Sequence, residues 1–253
     1  MSLLETRAIS KSFGGVVALD AVDLKIETNS ITALIGPNGS GKTTLFNVLS
    51  GFIPPDSGRV IFMEKDITGL SPDRISLKGL TRTFQIPRLF SKMTLLENML
   101  TAPKNQSGEG LARLFTSRKE IERQETRNAD NAMHLLNLLG IDHLANEYAA
   151  NLSGGQQKLL ELGRALMTDP DMILLDEPVA GVNPTLAKKV FERIIELRNS
   201  LDKTFLVVEH NMDIVMNFCD RIGVMHRGQL VAEGTPKEIA RNEQVLQIYL
   251  GMA

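Results

Sequence analysis

Cysteine is almost missing from this chain, with Cys219 alone among 253 residues. One thiol excludes an intrachain disulfide and a cysteine-built metal site, and it suits a reducing compartment. Cys219 is expected to serve as a small apolar filler. Long hydrophobic runs are missing too: no stretch of about 18 apolar residues offers a membrane-spanning helix. If the chain serves a membrane, it is expected to dock from the water side. Near the N-terminus Glu5 and Arg7 interrupt the apolar stretch that a secretory leader needs, so export is not expected. Charge of one sign is also lacking. The 28 Lys+Arg and 30 Asp+Glu leave a net charge of -2, so no general basic field exists to hold nucleic acid or an anionic membrane surface.

What is present fits a packed protein. Hydrophobic residues make up 43% and charged residues 23%, enough apolar surface to form a core. The length allows one large domain with a substantial lobe. Alternating Val22, Leu24 and Ile26, and then the run Ile31-Thr32-Ala33-Leu34-Ile35, read as strands. A helix follows from Thr43, with Leu45, Val48 and Leu49 on one face. Later, Met172 to Leu175 reads as a strand. A helix carrying Leu186, Val190, Ile194, Leu197 and Leu201 comes next, and Phe205 to Val208 is a further buried strand.

This alternation predicts an α/β fold with a mainly parallel sheet and ligands at the carboxyl ends of its strands. Residues from about 86 to 168 are strand-poor and read as a helical lobe, with Ala132, Met133, Leu135, Leu136 and Leu139 as an apolar stripe closed by Gly140. Arg113 to Arg127 reads as a solvated face. Arg221 to Met225 and Gln229 to Ala232 flank a hairpin turn, and Thr235-Pro236-Lys237-Glu238 forms a capping box.

Two motifs carry chemistry. Gly36-Pro37-Asn38-Gly39-Ser40-Gly41-Lys42-Thr43 matches G-x-x-x-x-G-K-[ST] between a strand and a helix. Its glycines let successive N–H groups face one anion, and the helix start adds positive partial charge. A nucleoside triphosphate such as ATP fits. Lys42 would neutralise the β- and γ-phosphates, Thr43 would offer its hydroxyl to Mg²⁺, and Thr44 would touch the α-phosphate. Asp176, ending an apolar strand, would hold Mg²⁺ through water. Glu177 is then available to polarise the attacking water. The second motif, Leu152-Ser153-Gly154-Gly155-Gln156, offers another anion site at a helix start.

In this order, these motifs and Leu174-Leu175-Asp176-Glu177 resemble the ATP-binding subunit of ABC transporters over essentially the whole chain. The resemblance implies a P-loop NTPase core with an N-terminal antiparallel β subdomain and a helical subdomain. It implies a single domain over 1–253, with the core at about 1–85 and 169–253 and the helical part at about 86–168. It also implies a head-to-tail dimer, of two copies or with a paralogue. In it each ATP lies between one subunit's phosphate loop and the other's Ser153, Gly154, Gly155 and Gln156.

By the same resemblance Phe13 stacks on adenine, and Gln85 reaches Mg²⁺ and the attacking water and relays contact with the membrane subunit. His210 contacts the γ-phosphate and orients Glu177. Asn183 departs from the pattern, since an acidic residue is usual there. Ala180 to Pro184, Arg82-Thr83-Phe84-Gln85, Arg88-Leu89-Phe90, Gln156-Gln157-Lys158 and Tyr249-Leu250-Gly251 resemble the subunits of branched-chain amino-acid importers. Implied partners are transmembrane permease subunits and, indirectly, a substrate-binding protein. The implied location is the cytoplasmic face of the cell membrane. Urea import, lipopolysaccharide export and a non-transport ABC ATPase stay open as alternatives.

Overall fold

The computed structural model describes residues 2–83, 89–104 and 118–250. Two sheets organise the chain. Strands β1 (Ser2–Phe13), β2 (Val16–Glu27), β4 (Ser57–Phe62) and β5 (Lys65–Asp66) pair antiparallel in the order β2-β1-β4-β5. The alternation at Val22, Leu24 and Ile26 marked only the second half of β2. Its first half starts with exposed Val16 and Val17, and Ala21 in the left-handed region (φ 47) interrupts the two-residue period.

The second sheet holds six strands in the order β10-β9-β3-β8-β7-β6. They are β3 (Ile31–Ile35), β6 (Leu80–Arg82), β7 (Met172–Asp176), β8 (Thr204–Val208), β9 (Arg221–His226) and β10 (Gln229–Gly234). All neighbouring pairs are parallel except the hairpin β9–β10. Every residue of β3, β7 and β8 is buried, because both faces of the sheet are covered, which is why these strands read as unbroken apolar runs. Side chains alternate between two cores. Ile31, Ala33, Ile35, Phe205 and Val207 face the larger one. Leu34, Leu206 and Val208 pack toward the antiparallel sheet and helix α1 (Lys42–Leu49), which inserts Leu45, Phe46 and Leu49. Each such fully buried side chain stabilises the fold by about 1.5–3 kcal/mol.

Between β6 and β7 the described residues hold α3 (Leu95–Leu100), α4 (Arg118–Leu138) and α5 (Gly154–Leu166) and no named strand; α2 (Pro72–Leu77) precedes β6. On α4 and the turn after it, Ala132, Leu135, Leu136 and Leu139 are buried. Met133 is not: one position beyond Ala132, it falls about 100° round the helix and off the stripe. Of Arg113 to Arg127, the described side chains are mostly exposed. The remaining helices are α6 (Pro184–Leu201), α7 (Met212–Phe218), α8 (Pro236–Ile239) and α9 (Glu243–Leu250). The capping box predicted at Thr235 starts α8, where Thr235 N–H donates to Glu238 and Glu238 N–H to the Thr235 hydroxyl. None of the described helices is long and apolar enough to cross a membrane. Cys219 is buried, and burial pushes its thiol up to about 12, so it is inert packing.

One organising residue carried no sequence signal. Asn98 on α3 is fully buried; its Oδ1 accepts from Phe90 N–H at 2.9 Å and its Nδ2 donates to the carbonyls of Phe90, Met93 and Thr94 at 3.0, 3.2 and 2.9 Å. It ties the chain before α3 into a closed turn. Asn98→Ala strips these bonds and is expected to lower unfolding stability by about 2 kcal/mol, read from the urea midpoint. A midpoint unchanged from the parent would remove the turn from Asn98's control.

Candidate functional site

Strand register brings the candidate residues to one edge. Leu34 and Asp176 both lie opposite Val208, so the chain leaves β3 as the phosphate loop, β7 as Glu177 and β8 as Glu209-His210 at the same level. The loop's first glycine is obligatory: at φ 146, the α-carbon of Gly36 lies against the Met225 carbonyl, where a Cβ would overlap it. Gly41 caps α1 at φ 105, where a Cβ would meet the Ala18 carbonyl.

Lys42 is 6% exposed and folds back into the loop. Its ammonium donates to the carbonyls of Gly36 and Pro37 at 2.8 and 3.0 Å and to the Ser40 hydroxyl at 3.4 Å. Burial lowers its proton affinity; the negative charges of Glu177 and then Asp176 oppose that shift. A cavity of about 330 Å³ opens above, walled by Asn38, Gly39, Ser40, Gly41, Lys42, Thr43 and Thr44, by Val16 to Ala18, and by Glu177 and His210. Thr43 is exposed there. Phe13, expected at the base, is 46% exposed, with the Lys11 ammonium 5.6 Å from its ring centroid. It does not line this cavity. Val16 and Val17, exposed by 69% and 55%, do.

Glu177 and His210 meet: Nε2 lies 2.6 Å from Glu177 Oε1, a bond in which the ring donates to the carboxylate. Glu177 sits in the left-handed region at φ 48, with its N–H bonded to the Val208 carbonyl at 3.0 Å. A non-glycine residue held there is strained, a feature that concentrates at functional sites. Beside it, buried Glu209 accepts from the N–H groups of Val179, His210 and Asn211 at 3.3, 3.1 and 3.4 Å. Burial nevertheless raises its proton affinity. Glu209 thus ties the loop after Glu177 to the loop that carries His210. Asn183 caps α6, its Oδ1 accepting from Leu186 N–H at 2.9 Å, so the amide has a local task.

Ser153 and its neighbours do not line this cavity. Ser153 caps α5: its N–H and hydroxyl donate to Gln156 Oε1, both at 2.9 Å. Gly154 is exposed; Gly155 is buried where a Cβ would overlap Leu186 of α6, so its glycine allows the two helices to pack closely. Gln85, Phe84, Arg88 and Gly251 lie outside the described residues. Leu95, the first residue of α3, is core, whereas Met93 just before the helix is 37% exposed.

For a divalent cation the described residues offer no cluster of three or more His, Cys, Asp and Glu. They offer the Thr43 hydroxyl and Asp176. That sparse oxygen set fits Mg²⁺ carried with nucleotide, which keeps several waters and takes one or two protein donors plus phosphate oxygens. One oxygen of Asp176 is already engaged: Arg82 donates to Oδ2 at 2.7 Å. In the sequence Arg82 stands out only through the importer-like run Arg82-Thr83-Phe84-Gln85. That reading missed this pair, as it missed Glu209 and buried Lys158, whose proton affinity burial lowers against the pull of Glu161, Asp176, Glu177 and Glu209. The Arg82–Asp176 and Glu209–Val179 contacts join residues 94 and 30 apart in the chain and leave no local pattern.

Known proteins share this arrangement. Residues 19–180 match the family model described as ABC transporter, and residues 229–251 match that described as branched-chain amino acid ATP-binding cassette transporter. The probable branched-chain amino acid transport ATP-binding protein LivG of Archaeoglobus fulgidus is 46% identical over 251 residues, covering 99% of this chain and 96% of its own. The high-affinity branched-chain amino acid transport ATP-binding protein LivG of Escherichia coli (strain K12) is 40% identical over 251 residues, covering 99% and 98%. A crystal structure of an ABC-transporter ATP-binding cassette in its ADP conformation superposes with a TM-score of 0.84 at 42% identity, covering 99% of each chain. With motifs, sheet order and near full-length likeness in agreement, the chain belongs to the ABC transporter family of ATP-binding subunits.

Proposed function

We propose that this chain is the Mg²⁺-dependent ATPase of a branched-chain amino-acid importer. It would hold ATP in its phosphate loop, hydrolyse it at Glu177, and pair head to tail with a like subunit. The observation that carries the reading is the Glu177–His210 hydrogen bond at 2.6 Å in the same cavity as Lys42 and Thr43. Glu177 would accept the proton of the attacking water, and the imidazole would keep that carboxylate aimed into the cavity. Lys42 would exchange its carbonyl partners for phosphate oxygens. Thr43, Asp176 and Gln85 would hold Mg²⁺, whose charge would offset the β- and γ-phosphate oxygens. Adenine would rest against Val16 and Val17 with Phe13 at the edge.

A second anion-ready surface on the chain supports the dimer reading. Ser153, Gly154, Gly155 and Gln156 form an anion-ready helix start that does not line the cavity. A second subunit supplying that corner would close the site, and only the γ-phosphate would complete both halves. Solved dimers of related cassettes, at 24% identity, support the fold-level analogy. We take residues of about 1–85 and 169–253 as the core and about 86–168 as the lobe that meets the permease at the cytoplasmic membrane face. The relatives' names supply the cargo class. Proteoliposomes containing this chain, its permease subunits and a substrate receptor are expected to accumulate leucine only with internal ATP and Mg²⁺. Uptake of urea instead of leucine under the same conditions would replace the cargo while leaving the ATPase intact.

A further inference from the structure

Arg82 is the last residue of β6, and its side chain is only 7% exposed. Among the described residues its two terminal nitrogens donate in two directions. One terminal nitrogen donates to Asp176 Oδ2 at 2.7 Å. The other donates to Asn47 Oδ1 at 2.7 Å and Ser50 Oγ at 3.1 Å, at the far end of the helix that the phosphate loop opens. Phe46 and Phe52 flank it, their ring centroids 5.6 and 5.8 Å from Cζ. Asp176 Oδ1 has no donor among the described residues.

We infer that Arg82 is a positioning residue for the metal carboxylate. It fixes one oxygen of Asp176, leaves the other for the water shell of Mg²⁺, and locks the carboxylate to α1 so that Asp176 and Thr43 keep their spacing. A planar guanidinium can span both partners at once; the point charge of an ammonium cannot. The direction of the effect separates this role from simple charge competition. A cation that merely competes for Asp176 would weaken Mg²⁺ binding, and its loss would tighten it. A positioning group does the opposite, and removing groups that orient a metal ligand lowers metal affinity about 10–100-fold.

The inference rests on Asp176 serving the metal, so the test includes a variant of Asp176. ADP, which does not turn over, is bound to the purified chain in EDTA and across a Mg²⁺ titration. Arg82→Met is expected to keep ADP affinity in EDTA within about twofold while raising the Mg²⁺ half-saturation about tenfold, and Arg82→Lys is expected to follow it. Unchanged or tighter Mg²⁺ dependence in Arg82→Met, or wild-type behaviour in Arg82→Lys, overturns the positioning role. If Asp176→Asn leaves the Mg²⁺ response untouched, the metal reading of Asp176 fails and takes the inference with it. If only the Arg82 variants leave it untouched, the inference alone fails. Should Arg82→Met not fold, Asn47→Ala with Ser50→Ala decides. That pair keeps the ion pair but cuts the tether to α1, and it must raise the Mg²⁺ half-saturation a few-fold or the role is refuted.

Discussion

Glu177→Gln is expected to reduce phosphate release by a factor on the order of 10²–10⁴, the usual contribution of a positioned general base, while ATP still binds. The amide keeps the shape of the side chain but accepts no proton from water. Its Oε1 can still take the His210 Nε2 hydrogen bond, which now spans 2.6 Å to the carboxylate. With γ-phosphate retained, the head-to-tail dimer should accumulate, visible as an ATP-dependent shift to twice the mass in light scattering. Turnover within twofold of the parent would strip Glu177 of the base role. A silent enzyme that stays monomeric with ATP would instead count against the shared site.

Lys42→Ala is expected to weaken ATP binding by at least one to two orders of magnitude. A hydrogen bond from an ionised donor contributes about 1.5–3 kcal/mol, and about 1.4 kcal/mol is tenfold in affinity. Lys42 has three such bonds to transfer. They go to Gly36, Pro37 and Ser40, so the variant also exposes how far the lysine braces the loop. Thermal unfolding without nucleotide measures that term separately. Nucleotide affinity equal to the parent's, by calorimetry with Mg·ATP, would exclude Lys42 from the phosphate site. A loss fully mirrored by loop destabilisation would reassign it to a structural brace.

The loop before α1, the strand end at Asp176 and the capped helix start at Ser153 were readable as local structure because each is a contiguous string that sets a backbone shape. Glycine spacing, a helix start and a strand end are local consequences of local residues. The buried strands were readable for a related reason, since five consecutive apolar residues with turn signals on both sides leave few alternatives. Where an element mixes exposures the reading faltered. The first half of β2 lacks alternation, and Met133 was swept into a stripe by its composition although the helical angle excludes it.

Other features had no address in the one-dimensional pattern. Arg82 and Asp176 are 94 residues apart, and Glu209 reaches back 30 residues to Val179. Neither pair shares a period, because ion pairs and carboxylate caps are set by which strands lie side by side. The left-handed backbone at Glu177 and the helix contact that requires Gly155 likewise depend on neighbours folded against them. The chain's order of residues names the groups that the proposed site would use to grip a triphosphate, since that chemistry is written in short segments. Where those groups stand, and what holds them there, comes from sheet order and side-chain packing, since distance through space is fixed by the whole fold.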